Sequence, residues 1–188
     1  GEEGILIYQG YNIHDLAENS TFEEVIFLLW NGRLPSAREL EDLIHQFQAN
    51  YVVPDEVLEM MQRFPKDANP MDVLRTAVSA LGFYDKDGNS TEREAAVKTA
   101  IKLTAQIGTL VAAWERIRTN QVIVAPDNTL SIAENFLYMM RGEKPEADEA
   151  KIFDIALILH ADHELNASTF TTRVVAGTLE DMYGAVTA

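Results

Sequence analysis

Two of the chain's four histidines, His160 and His163, stand three residues apart, and Asn166 is three further on. On a helix, side chains at i and i+3 share a face. If the turn continues, His160, His163 and Asn166 point into one site. Imidazole and carboxamide N–H groups donate to a ketone or a carboxylate. Polar donors at the end of an apolar helix suit an oxygen-rich ligand. Ile152, Ile155, Ala156 and Leu159 supply that apolar flank. Two other readings use the same residues. The three side chains can simply cap the helix end and bond neighbouring carbonyls. His160 and His163 can also hold Zn or Fe with Asp162 or Glu164, as in a metal-dependent hydrolase. His14 and His45 fall at expected surface positions and read as ordinary residues.

Almost every element that would position this triplet reads as a helix. A helix from Glu146 to about His163 carries acids in its first turn, which suits the dipole. A last helical tract covers roughly Ser168 to Val186. Upstream, Ser20…Glu23 and Thr21…Glu24 are overlapping capping boxes ahead of Val25, Ile26, Leu28 and Leu29, and Gly32 suits a left-handed stop. Pro35-Ser36 opens the next helix, with Leu40, Leu43, Ile44 and Phe47 on one face. Pro54 starts a third, and Asn69-Pro70 is a cap followed by Pro at the first helical position.

The longest helix is predicted from near Ser90 to about Arg118, roughly 43 Å at 1.5 Å per residue. Its small and apolar middle, Ala105 to Ala113, fits close packing on more than one side. Ser131…Glu134 caps another helix, which stops at Gly142. Ile5 to Tyr11, around Gly10, reads as a short strand or hairpin. Asp85-Lys86-Asp87-Gly88-Asn89-Ser90 has the composition of a calcium loop but not its spacing. Gly88 is fourth and position twelve is Ala96, where an EF-hand needs Gly sixth and Glu at twelve. The predicted fold class is all-α, with at most a small β element at the start.

Composition removes several function classes. The 188 residues carry 15 Lys and Arg against 30 Asp and Glu, a net charge of −15. A phosphate backbone or an anionic lipid surface needs a basic face, so neither nucleic acid nor membrane is an expected partner. There is no cysteine, which removes thiolate catalysis and thiolate metal sites. No apolar run approaches the ~18–20 residues of a membrane helix. The Gly1-Glu2-Glu3-Gly4 start lacks the basic region of a signal peptide and an initiator Met. Both ends read as cuts through a longer protein.

The tract His160-Ala161-Asp162-His163-Glu164-Leu165-Asn166-Ala167-Ser168-Thr169-Phe170 resembles the histidine signature of citrate synthases, particularly the bacterial and archaeal type. Other segments resemble the family in the same order. Tyr8-Gln9-Gly10-Tyr11 is similar to its opening tyrosine-arginine-glycine-tyrosine segment, with Gln9 in place of arginine. Phe22-Glu23-Glu24-Val25, Asn31-Gly32-Arg33-Leu34-Pro35, Pro70 to Ser79 and Ala133 to Leu137 follow.

The resemblance implies an all-α homodimer, joined through large-domain helices, that condenses oxaloacetate with acetyl-CoA and water to citrate and CoA. It implies no cofactor, acetyl-CoA being a substrate, and no metal. It implies that residues 1–188 are the N-terminal part of the large helical domain. The small CoA-binding domain and the C-terminal part would lie beyond residue 188. His163 matches the family histidine that contacts oxaloacetate, and His160 and Asn166 match positions lining the same pocket. No complete catalytic set has a counterpart here. Deprotonating a thioester α-carbon needs a placed carboxylate, and the enol needs a donor. The 188 residues alone are therefore expected to be inactive. A propionyl-CoA-using 2-methylcitrate synthase is the alternative, since one methylene decides between them and its pocket lies outside this chain. A non-catalytic helical interaction module is a further reading. The expected compartment is the cytoplasm.

Overall fold

In the computed structural model, residues 4–86, 88, 90 and 92–188 are described. Among them, ten α-helices follow a single two-stranded hairpin. Strands β1 (Ile7–Tyr8) and β2 (Tyr11–Asn12) pair antiparallel. Gln9 and Gly10 between them have φ of +49° and +92°. Positive φ at both central residues is the turn geometry that matches strand twist, and it makes Gln9 a strained choice. Asn12 then caps α1 (Ile13–Asn19) by accepting from the His14 N–H at 2.9 Å.

Local capping chemistry starts most of the remaining helices. Reciprocal capping boxes open α2 (Phe22–Asn31), α3 (Ala37–Gln48) and α7 (Ile132–Arg141). Gly32 and Gly142 end α2 and α7 in the left-handed region, at φ +73° and +88°. Helix α4 (Asp55–Gln62) follows Pro54, and α5 (Pro70–Leu81) starts on Asn69-Pro70. A 3-10 turn, Gly82–Tyr84, leads towards α6 (Arg93–Arg118). Helices α8 (Ala147–His160), α9 (Ala167–Ala176) and α10 (Met182–Thr187) complete the chain.

Helix α6 is the axis of the fold. Its Leu103, Leu110, Ala113, Trp114 and Ile117 share a buried cluster with Val57 and Met61 of α4, with Val73, Ala77 and Val78 of α5, and with Tyr183 of α10. Its Ile101 and Ala105 enter a second cluster with Ile26, Leu43, Phe47 and Tyr51. A helix apolar on several sides is buried on several sides, as its composition predicts. A third cluster joins Tyr8, Ile13, Leu16, Val25 and Leu28 to Ile158 of α8. Phe136 and Phe153 stack at 4.9 Å and 10°, fastening α7 to α8.

Two buried carboxylates cap helices other than their own. The first N–H groups of a helix lack intrahelical partners and carry partial positive charge. Glu23 of α2, 4% exposed, accepts from the Ile132 N–H that opens α7, at 2.9 Å. Asp154 of α8, also buried, accepts from the Phe22 N–H that opens α2, at 3.1 Å. Loss of solvent pushes both carboxyls above the ordinary range, and these N–H bonds pull part of the way back.

Several expectations are corrected. Ser20 closes α1, and only Thr21…Glu24 forms the capping box; Glu23 is spent on α7. Helix α1 carries too short a pattern to be read from sequence. The tract from Ser168 to Val186 is two helices. Leu179 takes φ +67°, and Asp181 caps α10 by accepting from the Gly184 N–H at 2.8 Å. Helix α8 stops at His160, not His163. The calcium-like loop includes Asp87 and Asn89, and the predicted signal-free start includes Gly1 to Glu3; these lie outside the described residues, as does Thr91 near the expected start of α6. The Asp85 carboxylate takes the Lys102 ammonium at 2.6 Å and the Tyr183 hydroxyl at 2.9 Å.

Candidate functional site

The segment around His160, His163 and Asn166 is the junction between α8 and α9. Helix α8 anchors the junction through Ile158 and Asp154 on its buried side. After His160 the chain leaves helical register. The Ala161 N–H donates to the Ile158 carbonyl at 3.2 Å, and Glu164 takes φ +57°. The Asn166 N–H then donates to the Glu164 carbonyl at 3.0 Å. The three predicted residues thus lie at a helix end, in a turn and at a helix start. They do not share one helical face.

Each has a distinct chemical state. His160 is exposed, and its Nδ1 lies 2.7 Å from the Ala156 carbonyl. A carbonyl only accepts, so Nδ1 carries the proton and donates it. Nε2 is then the free edge. It accepts when the ring is neutral and donates when the ring is protonated. His163 is exposed, and its ring has no hydrogen-bond partner among the described residues. Asn166 is half-buried and uses its Oδ1 to cap α9, accepting from the Thr169 N–H at 2.8 Å. Its NH2 group remains as a donor. The capping role therefore accounts for one atom each of His160 and Asn166 and for none of His163.

The metal reading loses its ligand set. Among the described residues, no group of three or more His, Asp and Glu side chains is placed to hold a metal ion, so His160, Asp162 and His163 do not form one. The triplet is also open. A cleft of about 270 Å³ is lined by Ser168 and Thr172 of α9 with Leu74, Arg75 and Ile107, but not by His160, His163 or Asn166.

One residue of this region went unassigned from sequence. Tyr8 of β1 is 1% exposed, and its hydroxyl meets the end of α8. The Ile158 and Asp162 carbonyls each lie 3.2 Å from it, and the Leu159 carbonyl 3.5 Å. The hydroxyl also accepts from the Asp162 N–H at 3.3 Å. Burial pushes its pKa up, which keeps it a donor. The available signal was an aromatic residue in a strand; its partners are some 150 positions away, beyond any local pattern.

A family model described as citrate synthase, C-terminal domain, matches residues 1–188. The chain belongs to the citrate synthase family. It is 48% identical over 184 residues to citrate synthase 2 of Bacillus subtilis, covering 97% of this chain and 50% of the relative. It is 40% identical over 191 residues to 2-methylcitrate synthase 2 of Corynebacterium glutamicum, covering 99% and 50%. The chain spans about half the length of the curated relatives it matches. Among solved structures it resembles citrate synthase from Pyrobaculum aerophilum, with a TM-score of 0.93, 41% identity and coverage of 98% and 48%. It also resembles citrate synthase from the archaeon Thermoplasma acidophilum in a ternary complex with carboxymethyl coenzyme A and oxaloacetate. There the TM-score is 0.92, with 29% identity and coverage of 98% and 49%. Among the described residues, no helix is long and apolar enough to cross a membrane.

Proposed function

We propose that this chain is the N-terminal half of a citrate synthase, and that its α8–α9 junction forms part of the oxaloacetate wall. One observation carries the site assignment. His163 presents a ring with no hydrogen-bond partner among the described residues, on a segment pinned at both sides. The Thermoplasma acidophilum relative, whose fold matches over 98% of this chain, holds oxaloacetate and a CoA derivative. The segment order, opening with Tyr8-Gln9-Gly10-Tyr11, supports the placement in the first half.

In this reading His163 donates to a keto or carboxylate oxygen of oxaloacetate. His160 donates through Nε2 only as imidazolium, so its contribution to an anion requires a proton. The Asn166 NH2 group supplies a further donor. Charge-assisted donors aimed at a dianion fix its orientation before the acyl donor arrives. The carboxylate that deprotonates the thioester and the donor to its enol belong to the other half, which also brings further arginines to offset a net charge of −15. The reaction needs no cofactor or metal. The complete enzyme is a cytoplasmic homodimer joined through its large-domain helices.

A 2-methylcitrate synthase is the second reading, favoured by the identity to the Corynebacterium glutamicum relative. The test is CoA release by the full-length protein with oxaloacetate and either acetyl-CoA or propionyl-CoA. Acetyl-CoA is expected to give the higher kcat/KM. Preference for propionyl-CoA moves the assignment to the second reading, and release with neither overturns both.

A further inference from the structure

We propose that Tyr8 is a positioning residue for the oxaloacetate wall, acting from the opening hairpin through its buried hydroxyl. The inference rests on the functional reading above and goes beyond it. The last carbonyls of a helix have no intrahelical partner, and α8 lacks a glycine stop of the kind that closes α2 and α7. The Tyr8 hydroxyl takes that place. Its single proton is shared among the Ile158, Leu159 and Asp162 carbonyls, while its oxygen accepts from the Asp162 N–H. The hydroxyl thus bonds on both sides of His160 and next to His163. The hairpin that delivers it is itself fixed. Its turn is two residues long, and the Ile13 N–H closes it onto the Leu6 carbonyl at 3.0 Å. Tyr8 also packs with Leu16, Leu28 and Ile158, so its ring stays in place when the hydroxyl is removed.

The test is Tyr8→Phe in the full-length protein, beside Tyr51→Phe. Tyr51 is equally buried and donates its hydroxyl to the Leu130 carbonyl at 3.2 Å, away from the junction. Tyr51→Phe loses one hydrogen bond, and Tyr8→Phe loses the shared donor bond and the bond accepted from the Asp162 N–H, so both lose melting temperature. Tyr8→Phe alone is expected to raise the KM for oxaloacetate about three- to tenfold, with the KM for acyl-CoA unchanged. An oxaloacetate KM that stays at the wild-type value in Tyr8→Phe overturns the inference. So does an equal rise in Tyr51→Phe. Amide exchange over residues 159–166 provides a readout independent of catalysis. If the wild-type protein shows no condensation, the functional reading fails by itself. Faster exchange confined to Tyr8→Phe then still shows that Tyr8 holds the segment, and unchanged exchange removes that too.

Discussion

Helix α6 and the α8–α9 junction are built on opposite terms. Leu110 of α6 is fully buried, and the helix is enclosed by α4, α5, α7 and α10. Helix α9 buries none of its residues fully, and Phe170 on it is 58% exposed. Apolar burial holds α6, whereas the hydrogen bonds of one distant hydroxyl, that of Tyr8, hold the junction. A well-packed axis tolerates no change of shape, and a junction held by a few polar contacts can present side chains outward. Fixing the scaffold and leaving His163 without a partner among the described residues are thus two outcomes of one division of labour.

The largest effect expected from that division is in the core. Leu110→Ala should cost about 2–5 kcal/mol of unfolding free energy, through lost burial and a cavity. Phe170→Ala should stay within about 0.5 kcal/mol in the 188-residue chain. Denaturant titration of both variants measures the contrast, and equal losses would abolish it.

Next come the carboxylates that cap across helices. Glu23→Ala leaves the Ile132 N–H buried and without its acceptor, at a cost of about 1–3 kcal/mol. Glu23→Gln keeps an oxygen for that N–H and should lose less. The pH dependence separates the charge from the bond. Glu23 and Asp154 both have raised pKa values, because burial penalises the ionised form. The folded state therefore holds their protons more tightly than the unfolded chain does. Their stabilising contribution is present at low pH and lost as pH rises through the raised values. Stability of Glu23→Gln relative to wild type should rise from about pH 4 to 8, as the wild-type carboxylate ionises. Unfolding curves across that range check it, and a flat difference would contradict the burial of this charge. The carboxyl of Glu39, exposed and held down to about 2 by Arg33, gives the opposite slope in wild type and variant alike and cancels.

The smallest stability effect is expected at the junction. His163→Ala should change unfolding free energy by no more than about 0.5 kcal/mol, since its ring is exposed and bonds none of the described residues. A large loss would mean that the residue serves the fold.

What was legible in the sequence follows from how far each signal reaches. The boxes of Thr21 with Glu24, Ser36 with Glu39 and Ser131 with Glu134 are local, so their helices start where the residues say. The stops at Gly32 and Gly142 are local too. The end of α8 is not, because it is set by Tyr8 from 150 positions away. That is why His160, His163 and Asn166 could be named by type but not arranged. Glu23 reads as the partner of Ser20 in a local capping box, and Asp154 carries no local signal; only the tertiary fold turns them onto other helices. The break between α9 and α10 has a cap in Asp181, but Leu179 at positive φ is a residue that no local rule selects.

The central claim is that the α8–α9 junction grips oxaloacetate through His163. The most direct test is calorimetric titration of oxaloacetate into the full-length protein and its His163→Ala variant, with melting curves alongside. The account predicts at least about tenfold weaker binding in the variant at an unchanged melting temperature, the loss expected of one charge-assisted donor. Equal affinity in the two proteins would contradict it.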